Sequence, residues 1–153
     1  MIYAVVLPSG SGKTTLSKKY ENLIDIDELL TEKQQQVLKV LCIKAIEDNN
    51  WENHQNKEYE FISDKIMEMN NDKILLCHHE SKALKYNLKV IGNFKTSKEI
   101  MLNVAKMRSE TDKFRGLCTI HNYESCNESV ICETHEKIEE EILKLSLKFN
   151  LII

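Results

Sequence analysis

The sequence predicts an α/β fold in three layers, with a five-stranded parallel sheet flanked by helices. Short apolar runs rich in β-branched residues alternate along the chain with longer segments of helical periodicity. The runs are apolar at nearly every position, as expected for parallel strands that are covered on both faces. The length of 153 residues and the apolar content of 42% suit one domain of this kind, residues 1–153.

Five short apolar runs predict the strands. The first run, IYAVVL, is followed by Pro8 and by the glycines of a tight turn. The later runs are NLIDID, KILLCH, LKVIGNF and the shorter SVIC. These runs place the strands at residues 2–7, 22–27, 73–78, 88–94 and 129–132.

Helices are predicted between the strands, where apolar residues recur every three or four positions. Residues 28–71 contain no strand signal and two such patterns, which a polar stretch at residues 48–57 separates. One long helix is predicted from Ser97 to about Arg115, and Thr134 is the predicted N-cap of the last helix. The predicted helices cover residues 14–20, 30–45, 59–69, 81–86, 97–115 and 135–149.

The charge and the cysteines limit the classes of partner. A net charge of −3, from 24 acidic and 21 basic residues, provides no global positive field for a nucleic-acid backbone or an anionic membrane. No apolar run approaches the roughly 18 residues of a membrane span, and the N-terminus lacks the pattern of a secretion signal. Five cysteines without a C-x-x-C pair indicate reduced thiols. We therefore expect a cytoplasmic protein that binds neither membranes nor long nucleic acids.

The most specific motif is LPSGSGKTT at residues 7–15, between the first strand and the first helix. It resembles the Walker A pattern, in which glycines let backbone N–H groups surround phosphates, a lysine contacts the β and γ oxygens, and a hydroxyl binds Mg²⁺. Leu7 occupies the position of the first glycine of that pattern, so Pro8 must help to form the turn. The structural alternative is a flexible Ser/Gly turn. The predicted ATP-binding residues are Ser9, Gly10, Ser11, Gly12, Lys13, Thr14 and Thr15.

Together with IDIDEL at 24–29 and, more loosely, VICETHEKIEEEIL at 130–143, this motif gives the chain a resemblance to a known group. The chain is similar to the small P-loop kinases of the nucleoside-monophosphate and shikimate type. The GTPase motifs D-x-x-G and N-K-x-D are not found. The resemblance implies a P-loop NTPase fold that uses ATP and Mg²⁺. It further implies that residues 28–71 bind the phosphate acceptor and that residues from about 108 to 128 form a lid.

The same resemblance suggests roles for two acidic residues. Asp25 would help to order Mg²⁺ together with Thr14, and Asp27 would orient or deprotonate the acceptor. Alternation along a strand would place both carboxylates on one face of the sheet, where they could serve one site. The alternative is that both residues only end a strand and cap the helix that follows.

Arg108 and Arg115 are the only arginines in the chain and are predicted to share one helix face with Asp112. In the kinases that this chain resembles, lid arginines contact the migrating phosphoryl group. We therefore predict that Lys13, Asp27, Arg108 and Arg115 are the catalytic residues. The alternative is an ordinary solvated helix face with an Arg/Asp pair.

Histidines and cysteines form two further groups whose roles the sequence leaves open. Some kinase lids carry a structural zinc, but the fifth strand and its turn need Cys132 and His135, so we expect no zinc. His78 and His79 end the third strand and either contact a ligand or pack against neighbours. The first of these two groups comprises Cys118, His121, Cys126, Cys132 and His135.

These patterns predict an ATP-dependent phosphotransferase that resembles the nucleoside and deoxynucleoside monophosphate kinases and binds a nucleotide or another small acceptor. A kinase for a hydroxyl group, of a small metabolite or a nucleic-acid 5′ end, is the second interpretation. The pair of aspartates favours it, because a hydroxyl proton needs a base and residues 28–71 contain no arginine. A non-catalytic nucleotide-binding module is the alternative from another class. In that case Leu7, in place of the first Walker A glycine, would indicate that catalysis has been lost.

Overall fold

The computed structural model describes all 153 residues and contains a five-stranded sheet in which every strand pairing is parallel. The order of the strands across the sheet is β2-β3-β1-β4-β5. The predicted α/β class and the five parallel strands are therefore confirmed. The strands are β1 (Tyr3–Val6), β2 (Leu23–Asp25), β3 (Ile74–Cys77), β4 (Lys89–Lys95) and β5 (Val130–Ile131).

Helices connect successive strands and flank the sheet. A short 3-10 helix (Ile26–Leu29) follows β2 directly. Thr134 accepts a hydrogen bond of 3.1 Å from the backbone N–H of Lys137, so the predicted N-cap of the last helix is confirmed. The α-helices are α1 (Lys13–Lys19), α2 (Glu32–Asp48), α3 (Glu52–Met67), α4 (Glu80–Lys85), α5 (Lys98–Thr111), α6 (Lys113–Ser125) and α7 (His135–Lys148).

Two apolar clusters pack on opposite faces of the sheet, because successive residues of a strand point to opposite sides. Ala4 of β1 belongs to the cluster formed with α2, α3 and α4. Val5 belongs to the cluster formed with α1 and α7. The helices α5 and α6 pack on each other around Met101, Ala105 and Tyr123. Burial on both faces explains why the sequences of β1 and β3 are apolar throughout.

The order of the strands creates a crevice at the carboxyl ends of β1 and β3. These strands are neighbours in the sheet, yet the chain leaves them towards opposite faces. Leu16 of α1 packs in one apolar cluster, and Ala83 of α4 packs in the other. In open α/β sheets, ligands bind where neighbouring strands diverge in this way.

The helix predicted from Ser97 to about Arg115 is in fact two helices that meet at Asp112. The backbone of Asp112 is extended (φ −153°, ψ 105°), and its side chain accepts a 3.1 Å hydrogen bond from the N–H of Phe114. Aspartate at this position caps α6 and ends α5, because its carboxylate satisfies a backbone donor that helix α6 leaves unpaired. Arg108 and Arg115 therefore lie on different helices, and the prediction of one shared helix face is wrong.

The second strand is also shorter than predicted. It ends at Asp25, and Asp27 lies in the 3-10 helix, so the alternation that was to place both carboxylates on one strand face does not occur. Asp25 causes this change, since its side chain accepts a 3.1 Å hydrogen bond from the N–H of Asp27 and caps the 3-10 helix. Helix α3 starts at Glu52, so the predicted polar separator at 48–57 is reduced to three residues between α2 and α3.

Candidate active site

Residues 8–15, from the end of β1 into the first turn of α1, form the base of the crevice and are called the glycine loop below. Leu7 extends β1 into the core, where it is fully buried and donates to the Cys77 carbonyl at 2.8 Å. The N–H of Ser11 donates to the Pro8 carbonyl at 3.1 Å and closes a tight turn. Gly10 and Gly12 have φ of 85° and 92°, a conformation that side chains with a Cβ rarely adopt. The turn therefore forms without a glycine at position 7.

The glycine loop leaves a series of backbone donors unused. The left-handed Gly12 precedes the helical Lys13, an arrangement that makes a concave nest of N–H groups and suits an anion. The N–H groups of Ser9 and Ser11 donate to other groups of the protein. The following N–H groups have no such partner: Gly10, Gly12, Lys13, Thr14 and Thr15.

Lys13 adds a positive charge to this nest. The side chain is buried, and burial lowers the pKa of Lys13, although the charges of Asp27 and Asp25 act in the opposite direction. These carboxylates and Arg108 affect the ammonium group through space rather than through a direct hydrogen bond. The lysine therefore lacks a direct partner for its three donors and is placed to bind an anion in the loop.

Thr14 and Asp25 form a pair of oxygen donors next to Lys13. The Thr14 hydroxyl donates to Asp25 Oδ2 at 3.0 Å, and the other carboxylate oxygen accepts from the N–H of Asp27. Asp25 is buried, so both oxygens are held in place. A hydroxyl and a carboxylate are the hard ligands that Mg²⁺ prefers, and the donor set therefore suits this ion.

Residues from the second half of the chain also contact the glycine loop. The ring of His135 donates from Nε2 to the Gly10 carbonyl at 2.9 Å. Asn122 accepts from the N–H of Ser9 and donates to the His78 carbonyl at 3.2 Å. Asn122 thus joins the loops after β1 and β3. The sequence contained no signal for this role of Asn122, which depends on the packing of α6.

A cavity of about 900 Å³, called the main cavity below, lies beside the glycine loop. Helices α2, α3, α4 and α6 line it, and Ser9 and Asp27 lie at its boundary with the loop. Trp51 lines the cavity and stacks on His121, with ring centroids 5.1 Å apart. The walls are rich in cationic side chains, namely Lys39, Lys82, Lys85 and Arg115.

Four charged or polar side chains form a continuous chain of contacts on the cavity wall. His78 Nε2 lies 2.9 Å from Asp27 Oδ2, and His78 Nδ1 lies 3.1 Å from Lys82 Nζ. Lys82 Nζ in turn lies 2.9 Å from the buried carboxylate of Glu58. We call Asp27, His78, Lys82 and Glu58 the wall network. It joins the 3-10 helix, the end of β3, α4 and α3.

The wall network shifts the ionisation of its members. Burial opposes the charge on Asp27, but the contact with His78 and the charge of Lys13 outweigh it and hold the pKa of Asp27 below its usual range. Burial lowers the pKa of His78, although Asp27 acts against this shift. Burial also disfavours charged Lys82, but Glu58 and Asp27 outweigh it and raise the pKa of Lys82. The network therefore holds a charged Asp27 and a charged Lys82 on either side of His78.

The two arginines occupy different environments. Arg108 is half-buried and donates from Nη1 to the Thr119 hydroxyl at 2.9 Å, whereas Arg115 lines the main cavity. Burial lowers the pKa of Arg108, and the charge of Arg115 lowers it further, because the two guanidinium groups lie near each other despite the break at Asp112. Asp112 forms an ion pair with Lys39 of α2 rather than with an arginine.

The cysteines and histidines of residues 118–135 are dispersed. Cys118 Sγ lies 3.0 Å from Cys42 Sγ, and Cys126 Sγ donates to the His78 carbonyl at 3.3 Å. Cys132 is buried in the core with α7. No three His, Cys, Asp or Glu side chains converge on a point that could bind a metal ion, and all five cysteines are free thiols.

The fold and site define an α/β protein with a parallel sheet and a glycine-rich loop at the point where its central strands diverge. Comparison with protein-family models, curated proteins and solved structures finds no match to this chain. None of its helices combines the length and apolar character that crossing a membrane requires. The functional argument therefore rests on the geometry of the site.

Of the wall network, the sequence predicts a role for Asp27 but not for Lys82 or Glu58. It does not decide whether His78 contacts a ligand or packs against neighbours. His78 and Lys82 are only four residues apart, but His78 lies before the start of α4 at Glu80, so helical spacing does not predict their contact. The partners Asp27 and Glu58 lie 51 residues from His78 and 24 residues from Lys82, respectively. No local pattern connects residues that far apart in the sequence.

Proposed function

We propose that this protein is an ATP-dependent phosphotransferase of the small P-loop kinase type, which transfers the γ-phosphoryl group of ATP to an acceptor in the main cavity. One observation carries the proposal. The glycine loop presents five consecutive or near-consecutive unpaired N–H groups around the buried Lys13, and it opens beside a cavity large enough for a nucleotide-sized molecule.

The residues of the loop have distinct roles in this proposal. The unpaired backbone N–H groups of Gly10 and residues 12–15 and the Lys13 ammonium bind the phosphates of ATP. Thr14 and Asp25 are the ligands that would hold Mg²⁺ directly or through its waters. When bound, Mg²⁺ neutralises part of the phosphate charge. The protein contributes mainly positioning and charge complementarity, as is usual in phosphoryl transfer.

A nucleoside or deoxynucleoside monophosphate is the first candidate for the acceptor. The cationic walls of the main cavity support an anionic acceptor, and Arg115 and Lys85 are not occupied by carboxylates of the protein. Trp51 and Tyr86 offer aromatic surface for a base. In this proposal Arg108 and Arg115 contact the phosphoryl group from two helices.

A hydroxyl acceptor, of a small metabolite or a nucleic-acid 5′ end, is the second candidate. The position of Asp27 favours this candidate, because its carboxylate borders the main cavity and 45% of its side-chain surface remains exposed. The contact with His78 holds this carboxylate beside the cavity. Two of the cavity lysines are also already neutralised, because Lys82 pairs with Glu58 and Lys39 with Asp112. A carboxylate suits a hydroxyl better than a second anion.

The experiment that tests the proposal is ATP consumption with a panel of acceptors, namely nucleoside monophosphates, nucleosides and oligonucleotides with a 5′-hydroxyl. ATP binding is measured in parallel by calorimetry. Consumption with one acceptor class identifies the reaction. Binding of ATP with no consumption in any mixture favours the non-catalytic nucleotide-binding module. A protein that does not bind ATP with Mg²⁺ would overturn both interpretations.

A further inference from the structure

The wall network contains a histidine whose proton positions are determined by its neighbours. Lys82 carries three N–H donors and no acceptor, so its 3.1 Å contact with His78 Nδ1 requires a lone pair on that nitrogen. In the neutral ring the proton then resides on Nε2, which lies 2.9 Å from Asp27 Oδ2. His78 therefore donates to Asp27, and the contacts to Lys82 and Asp27 both favour this tautomer.

Glu58 fixes the lysine that favours this tautomer. Its carboxylate lies 2.9 Å from Lys82 Nζ, and only 5% of the Glu58 side chain and 15% of the Lys82 side chain are exposed. An ion pair this buried is costly unless its remaining donors and acceptors are used. The second group at Lys82 Nζ is His78, and Tyr86 provides a longer contact of 3.5 Å to Glu58. The pair is thus held at a defined distance from the His78 ring.

The network ends at the carboxylate that faces the main cavity. Oδ2 of Asp27 accepts from His78, whereas no group of the protein donates to Oδ1. The hydrogen bond from His78 opposes rotation of this carboxylate towards Lys13, whose charge attracts it. The free oxygen is then available, at a fixed orientation, for a donor group of a molecule in the cavity.

We propose that His78 is a positioning residue that fixes the orientation of Asp27 towards the acceptor, and that Lys82 and Glu58 hold His78 in the Nε2–H tautomer. The inference deepens the proposed function and rests on it, because the acceptor is the molecule that Asp27 contacts. The three residues act through Asp27 and need not touch the acceptor themselves.

The first test is nuclear magnetic resonance of ¹⁵N-labelled histidine in the full chain. Without any ligand and at neutral pH, we expect His78 to give the signal of a protonated Nε2 and an unprotonated Nδ1. In Asp27→Asn, whose amide can donate as well as accept, Lys82 alone should keep this tautomer. Adding Lys82→Met to that variant should let the ring populate both tautomers. A protonated Nδ1 in the wild-type protein would overturn the inference, whatever the protein catalyses.

The second test compares two substitutions that place an amide differently. The amide nitrogen of glutamine in His78→Gln can reach the position of Nε2 and donate to Asp27, whereas the shorter side chain of His78→Asn reaches only as far as Nδ1. We expect kcat within about threefold of wild type for His78→Gln and lower by about tenfold or more for His78→Asn, with the KM for ATP unchanged in both. Equal kcat values for the two variants would overturn the positioning role.

Controls separate this inference from general destabilisation and from the proposed function. Tyr123→Phe removes a buried 2.7 Å hydrogen bond to the Thr96 carbonyl, outside the wall network and the main cavity. It should lower the melting temperature without changing kcat. If wild-type protein transfers no phosphoryl group, the proposed function fails, and the tautomer measurement still decides whether the wall network exists. If wild-type protein transfers and His78→Asn matches it, only the positioning role fails.

Discussion

The Thr14 hydroxyl donates a 3.0 Å hydrogen bond to Asp25 Oδ2 and thereby joins the first turn of α1 to the end of β2. The two oxygens lie beside the buried Lys13, in a part of the chain where the glycine loop has unpaired N–H groups. One short segment thus brings together backbone donors, an ammonium group, a hydroxyl and a carboxylate. This combination is suited to a polyphosphate with a divalent cation.

Lys13→Met should abolish phosphoryl transfer and leave the fold intact. The side chain serves the anion site, and removing it breaks no hydrogen bond or ion pair of the protein. Steady-state kinetics and a melting curve test the prediction. Transfer at the wild-type rate in Lys13→Met would contradict the role of the glycine loop.

Asp27→Asn should lower kcat about 100-fold or more while ATP affinity changes little, because this carboxylate borders the main cavity rather than the loop. Asparagine preserves the size of the side chain and can still accept from His78. Kinetics with both substrates, together with calorimetry of ATP binding, give the two quantities. Parallel losses in ATP affinity and kcat would instead assign Asp27 to the Mg²⁺ site.

Arg115→Lys and Arg108→Lys should each depress kcat while melting temperatures and ATP binding remain close to wild type. A guanidinium offers a planar pair of donors that an ammonium group cannot reproduce on phosphate oxygens. The effect should be larger for Arg115, which lines the main cavity, than for Arg108, which already donates to Thr119. Wild-type kcat in both variants would exclude the arginines from the reaction.

Asp112→Ala should lower the melting temperature more than Asp112→Asn. Asparagine can still cap α6, whereas alanine removes the cap, and both variants lose the ion pair with Lys39. The difference between the two melting temperatures therefore isolates the cap. If the two variants have the same melting temperature, the break between α5 and α6 does not depend on the cap that the Asp112 side chain provides.

His54 should make the protein less stable as the pH falls from about 6.5 to about 4. Burial lowers the pKa of His54 from its usual 6.5 to about 4, although the charge of Glu58 acts in the opposite direction. Between these values the unfolded chain binds a proton that the folded protein does not, so acid favours unfolding. Urea unfolding at several pH values measures the slope. In His54→Gln the slope over this range should be smaller than in wild type.

The elements that sequence alone predicts well are those that depend on local patterns. The run before Pro8 predicts β1 because continuous burial requires apolar residues, and Thr134 predicts a helix start because its hydroxyl satisfies a backbone donor three residues later. The glycines at positions 10 and 12 predict a turn because both need positive φ.

The remaining features depend on contacts between distant residues, or on two local conformations that the same residue allows. Asp112 is compatible both with the interior of a long helix and with a cap, and the packing of α5 against α6 decides between them. Asp25 ends β2 early for a similar reason. The pairing of Lys82 with Glu58 depends on how α3 and α4 meet, which no pattern in either helix encodes.

The contact between Cys42 and Cys118 has a consequence for the opening of the main cavity. The sulfurs are 3.0 Å apart, yet they belong to α2 and α6, which form two different walls. A movement of α2 away from α6 at this contact would separate the two thiols. Bifunctional thiol cross-linkers of different fixed lengths would therefore measure, in solution, the distance between α2 and α6 with and without a ligand in the cavity.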